Sequence, residues 1–396
     1  MRITAVTPIA VTYPLSRETM SFSFVRVETD TGLVGYGESC DSFGCSYAGV
    51  LAAVVTDAFA PLLVGEELVA VEPLSERLRL WTRRRLGDQW IAAHARSGVE
   101  LALWDVAGKA AGRSVSQLIG KVRDRVEVYA SGGFLEEGDA AVHAKALGPL
   151  FERGVRRVKV RVGPEWRDDL DTLRDLRAQL EPSIELMVDG SEIFTVPTAL
   201  AVAEQLHALG VSWFEEPLPQ GERAGITNLT RRSPVAIAYG EHLFGRDDAA
   251  WALADGGVTV LQPDVSTCGG MVDARRMADL AVHHGARVVP HVCSGPISLA
   301  ANLHLAATVP AIRLIEYPPS LAAAWEGLGT GAHLGPDAIV DGALTVPTGP
   351  GLGVDLVEPE AAAHPYHVPH RLTGVRETKG GTTARAGLPD RFVGDR

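Results

Sequence analysis

Three short runs decide the fold: IELMVD (184–189), VSWFE (211–215) and VAIAYGE (235–241). Each is an apolar run ending in a carboxylate, and the three carboxylates are Asp189, Glu215 and Glu241. The intervals are equal, because 215 − 189 and 241 − 215 are both 26. That length holds one strand, one helix and two short loops. The spacing therefore predicts a repeated βα unit with one carboxylate at the end of each of three successive parallel strands. Working outward, VEVYAS (126–131), VRRVKVRV (155–162), VTVLQPD (258–264), ARVVPH (286–291) and IRLIEY (312–317) complete a set of eight strands. Helical patterns lie between them, such as RDDLDTLRDLRAQL (167–180) and TALAVAEQLHAL (198–209). Near-continuous apolar strands in eight βα units predict an α/β fold, a closed (β/α)8-type barrel rather than an open sheet. Every strand end then faces one rim, where such barrels carry their sites.

The flanks read differently. ITAVTPIAVTYPL (3–15) and FSFVRVETD (22–30) alternate as antiparallel strands, and 49–112 is helical, stopped by Gly112. The expected layout is an α+β capping domain over 1–120, the barrel over 121–320, a Gly- and Pro-rich segment packing back on the capping domain over 321–375, and a disordered tail over 376–396. The capping domain is thus expected to be built from the N-terminal part and the C-terminal segment together.

The chain is 46% hydrophobic and 22% charged with a net charge of −12, which argues against a nucleic-acid partner but not against an anionic substrate beside a metal ion. Cys40, Cys45, Cys268 and Cys293 form no C-x-x-C pair, so neither a disulfide framework nor a zinc site is expected. The first residues are too polar and alternating for a signal peptide, and no apolar run reaches membrane-spanning length. The expectation is a cytoplasmic protein with no membrane partner.

Lys159 and Arg161 are two apart on the second barrel strand, so both point to one side of it. They read either as a strand-end salt bridge or as cations at the barrel mouth near an anionic substrate. Asp189, Glu215 and Glu241 in one dry pocket would repel one another and take up protons, a cost that a divalent cation removes. An oxygen-only ligand set points to Mg²⁺, with Mn²⁺ as a substitute, rather than zinc. Asp264 and His291 end the sixth and seventh strands and are expected as neighbours, the carboxylate fixing the imidazole tautomer of a general base. Glu316 ends the eighth strand; it reads as a cap, as a salt-bridge partner, or as a hydrogen-bond donor kept protonated at the rim.

VRVETDTGLVGYGE, GVELALWDVAGKAAG, VKVR, the FEEP context of the carboxylate trio, QPDVSTCGG, the His291 strand end, IEY and PGLGVDL together resemble the enolase superfamily, mandelate racemase subgroup. The resemblance implies proton abstraction next to a carboxylate, with one Mg²⁺ per subunit stabilising the enediolate. It implies that Asp189, Glu215 and Glu241 hold the metal and that His291, supported by Asp264, is base or acid on one face. Glu316 would hydrogen-bond the substrate carboxylate, with Lys159 beside it. Many members carry Lys-x-Lys where this chain has Arg161, and guanidinium makes a poor base. That weighs against a racemase or epimerase and for one-base dehydration of an aldonate or aldarate to its 2-keto-3-deoxy acid. An inactive sugar-acid-binding homologue is the third reading, and the retained His–Asp pair argues against it. Asp264, where muconate cycloisomerases place Lys, argues against that branch. Ser191 replaces a usual Asn, which puts substrate contact there in doubt. The cap loops are expected at 14–24 and 39–48, with Arg17, Glu18 and Ser21 facing an acid sugar. The resemblance also suggests a homo-oligomer, a dimer or a higher assembly of even order.

Overall fold

The structure is a computed structural model that describes residues 1–15, 19–41 and 44–367, together with the backbone of two paired strands, Val375–Glu377 and Thr383–Arg385. The rest of the expected tail, and Arg17 and Glu18 of the first cap loop, lie outside the described residues.

The chain opens with three antiparallel strands, β1 (Ile3–Pro14), β2 (Thr19–Thr29) and β3 (Val34–Ser39). Alternation of the sequence sets one face of this sheet against the long helix Trp90–Ala111, which ends at Gly112 in the left-handed conformation (φ 62°). β1 and β2 run further than the expected loop at 14–24 allows. Ser21 is therefore a buried strand residue, its hydroxyl 3.0 Å from that of Thr12, and not a loop residue open to a substrate.

Eight parallel strands follow: β4 (Arg125–Phe134), β5 (Arg157–Arg161), β6 (Glu185–Asp189), β7 (Trp213–Glu215), β8 (Ala236–Tyr239), β9 (Val260–Leu261), β10 (Arg287–Val288) and β11 (Leu314–Tyr317). They pair in chain order from β4 to β10, and β11 returns to pair with β4. The Glu316 N–H donates to the Pro290 carbonyl at 3.1 Å, which joins the last strand to the end of the seventh. The sheet is thus curled into a (β/α)8-type barrel. Its interior is filled by Tyr129, Met187, Trp213, Ala238, Val260, Val289 and Leu314, a plug beneath the rim.

The segment beyond β11 binds both units. Gly351–Leu356 lies on the helix Trp90–Ala111: Leu352 N–H donates to Asp105 at 2.7 Å, and the Lys109 ammonium reaches Asp105 at 2.7 Å. A Cβ at Gly351 would collide with the Asp105 side chain, so this approach requires glycine. The head of the same segment behaves differently. Ala343–Thr345 pairs antiparallel with β4, because the first barrel strand extends past β11 at its start and leaves backbone groups to satisfy.

Candidate active site

The strand ends bring Lys159, Arg161, Asp189, Glu215, Asp264, His291 and Glu316 to one rim, with Glu241 in the turn just beyond β8. All but Arg161 and Glu241 are buried. Lys159 is the hub. Its ammonium lies 2.8 Å from Glu316 Oε1 and 3.3 Å from Asp189 Oδ2, and it also pairs with Glu215 Oε1. Burial would strip its proton, but Glu215 and Glu316 hold it well above the usual range, so it stays charged. Arg161 Nε stands 3.5 Å from Asp189 Oδ2, and its guanidinium leans over the Phe134 ring. The two cations therefore face the barrel mouth and pair with carboxylates there.

Glu215 Oε2 is held by the Trp213 indole N–H at 3.1 Å and the Gln262 amide at 2.7 Å. Burial pushes this carboxyl up to about 7 even against the Lys159 ammonium. Trp213 and Gln262 stand two residues before Glu215 and Asp264. The same two-residue rule that linked Lys159 to Arg161 would have found them. Glu192 and Glu216, also unread in the sequence, add carboxylates beside Glu241. Burial, with the Glu241 charge, holds Glu192 at about 7 and Glu216 well above the carboxylate range.

His291 Nδ1 lies 2.9 Å from Asp264 Oδ2. The other Asp264 oxygen accepts the Ser266 N–H at 2.8 Å, the Ser266 hydroxyl at 2.7 Å and the Asn302 amide at 3.0 Å. With Nδ1 engaged, His291 Nε2 faces the mouth, 3.5 Å from Glu241 and 3.8 Å from Glu316. Burial alone would lower its pKa; Glu241, Glu316 and Asp264 outweigh it and keep the imidazole protonated. A cation on Glu241 would cancel one of those charges and free the ring to accept a proton.

Glu316 is not the protonated donor expected as one option. Burial favours its neutral form, but Lys159 and His291 bring it down to about 2, and the Val292 N–H donates to it at 3.2 Å. Ser191, in the left-handed region (φ 50°), turns back on Asp189, with N–H at 2.7 Å and hydroxyl at 3.3 Å from Oδ1. Its hydroxyl thus supports a carboxylate of the trio.

Among the described residues, no three acidic, imidazole or thiol side chains stand close enough together to hold an ion as they are. Lys159 draws Asp189 and Glu215 to itself, and Glu241 leans toward His242 and His291, each 3.5–3.6 Å away. The donor chemistry still fits a hard divalent cation. The set is all oxygen, arranged on adjacent strand ends, and burial together with the Asp189, Glu316 and Glu241 charges disfavours the ionised form of Glu215, a cost that a cation would offset.

Residues 2–120 match the mandelate racemase / muconate lactonizing enzyme N-terminal domain, and residues 141–361 match the enolase C-terminal domain-like family. The chain is 30% identical over 372 residues to D-galactarolactone cycloisomerase of Agrobacterium fabrum, a match covering 90% of this chain and 97% of that enzyme. It is 30% identical over 297 residues to arabinonate dehydratase of Saccharolobus solfataricus, covering 74% and 79%. The crystal structure of 3,6-anhydro-D-galactonate cycloisomerase from Zobellia galactanivorans superposes with a TM-score of 0.84 at 25% identity, covering 93% of this chain and all of that one.

Proposed function

We propose, for a chain that belongs to the mandelate racemase / muconate lactonizing enzyme family of the enolase superfamily, that it is a Mg²⁺-dependent dehydratase of an aldonic or aldaric acid. Arabinonate, galactonate and xylonate dehydratases are among its relatives at about 30% identity, which supports a dehydrating lyase at the level of the family. The observation that carries the finer reading is the asymmetry of the mouth. The mouth holds one base, His291 backed by Asp264 at 2.9 Å, and a guanidinium, Arg161, that does not surrender its proton.

Asp189, Glu215 and Glu241 would hold one Mg²⁺ per subunit. When bound, the ion supplies positive charge against the substrate carboxylate. Lys159 places a second positive charge in the same region, and Arg161 a third. His291 Nε2 takes the proton from the carbon next to the carboxylate. The electron pair left behind forms the carbon–carbon double bond as the β-hydroxyl departs. His291 returns its proton to that hydroxyl, which leaves as water, and the enol becomes the 2-keto-3-deoxy acid. Glu316, held ionised, orients Lys159 and His291 together.

The test is incubation of the Mg²⁺-loaded protein with a library of aldonic and aldaric acids, with new 2-keto acid detected by a carbonyl reagent. A hit is expected. No keto acid from any member, with no α-proton exchange in deuterium oxide, rejects the reading. The near-complete match to a lactone cycloisomerase favours a second reading. The same proton is removed, and a ring oxygen leaves in place of hydroxide. A product with the mass of its lactone substrate would select it.

A further inference from the structure

Two barrel helices begin at glycines that have no side chain with which to cap them. Met271–His283 follows Gly270, and Pro296–Thr308 follows Gly295. These helices come directly after the strands that deliver Asp264 and His291. In both cases a carboxylate from the N-terminal unit fills the missing place. Glu100, on the helix Trp90–Ala111, accepts the Val272 N–H at 2.9 Å. Glu38, at the end of β3, accepts the Gly295 N–H at 2.6 Å, the Ser294 hydroxyl at 2.7 Å and the Ser298 N–H at 2.9 Å. A Cβ at Gly295 would lie 2.5 Å from a Glu38 oxygen, so glycine is what admits the carboxylate. A carboxylate there also answers the positive end of the helix.

Glu38 is connected to the dyad by an unbroken run of hydrogen bonds. Ser298, whose N–H it accepts, donates its hydroxyl to Ser266 Oγ at 3.0 Å. Ser266 donates in turn to Asp264 Oδ1 at 2.7 Å. Asn302, one turn further along the same helix, donates to that oxygen at 3.0 Å. Asp264 Oδ2 then reaches His291 Nδ1. Every side chain in the run is buried. We infer that Glu38 is a positioning residue for the His291–Asp264 pair: from outside the barrel it fixes the helix whose Ser298 and Asn302 orient the Asp264 carboxylate. Glu38 touches neither His291 nor the mouth, and acts only through that helix. The effect on turnover rests on the proposed function, but the effect on the dyad geometry does not.

The experiment compares Glu38→Gln, Glu38→Asp and Asn302→Ala with the native full-length protein. Two readouts are taken: the His291 Nδ1–H resonance by ¹⁵N-histidine NMR, and kcat and KM on whichever acid the library yields. Expected for Glu38→Gln and Asn302→Ala is a shifted or broadened Nδ1–H resonance in a folded protein. kcat should fall roughly 10-fold to 100-fold, with KM and Mg²⁺ affinity changed less than about twofold. Glu38→Asp should restore part of both. A purely structural role would lower Tm and leave the resonance of the folded protein untouched, and that result overturns the inference. If Glu38→Gln does not fold, Ser298→Ala decides, since it removes the hydroxyl that links the helix to Ser266 while keeping the N–H that Glu38 accepts. A moved resonance with no turnover by the native protein supports the positioning role while rejecting the dehydratase.

Discussion

His291 Nδ1 and Asp264 Oδ2 meet at 2.9 Å, both buried, with the second Asp264 oxygen held by three donors. A carboxylate so restrained fixes one tautomer of the ring and leaves Nε2 to the mouth. Replacing His291 with Asn keeps a polar side chain of smaller size and removes the base. Turnover should fall by about 10²–10⁴-fold while Mg²⁺ titration is unchanged. Near-normal rates in His291→Asn would remove the residue from the mechanism.

In the proposed reaction Arg161 takes the place of a second base; its Nε lies 3.5 Å from Asp189. Arg161→Lys shortens the side chain and gives an amine, which can release its proton where a guanidinium does not. The variant should exchange the α-proton of the epimer that the native protein leaves untouched. ¹H NMR in deuterium oxide reads this directly, and exchange confined to one epimer in the variant would mean that Arg161 does not set the one-sidedness.

Glu241→Gln and Asp189→Asn each remove one charge from the expected ligand set. Mg²⁺ should raise the Tm of the native protein, since a ligand at 100 times its Kd adds about 2.7 kcal/mol to stability. Each variant should need at least roughly tenfold more Mg²⁺ for the same rise. Equal titrations in native and variant proteins would contradict the trio.

Glu100 gives the pH dependence of stability. It is buried, accepts the Ser75 hydroxyl and the Val272 N–H, and is pushed up to about 7 by burial in spite of Arg96. The folded state therefore binds a proton that the unfolded state releases near pH 4.5. Its contribution is complete below that value and is lost as pH rises through about 7, by at most about 3 kcal/mol. Glu100→Gln should lose less stability than the native protein between pH 5 and 8 in urea unfolding. Parallel curves would show that Glu100 does not titrate there.

Much of this was legible in the sequence, because a parallel strand buried on both faces announces itself as an apolar run. Seven of the eight barrel strands fall within runs read that way, and the first, Arg125–Phe134, runs past VEVYAS (126–131) at both ends. Lys159 and Arg161 were placed on one face by the two-residue period, as the structure has them. What escaped was set by neighbours distant in the chain. The ionised state of Glu316 follows from Lys159 and His291, and the turned-back Ser191 follows from a left-handed backbone that no local pattern marked. Nothing near Glu38, the last residue of VRVETDTGLVGYGE, marks its role. Its partners, Ser294 to Ser298, lie more than 250 residues away, at |i−j| of 256 to 260.

In the proposed reaction a single base, His291, takes the proton from one face. The most direct measurement follows loss of the α-proton in deuterium oxide from both C2 epimers of a responsive acid sugar, with native protein and with His291→Asn. Exchange or elimination from one epimer only is expected, and none with the variant. Exchange from both epimers without loss of water, or exchange that survives in His291→Asn, would contradict it.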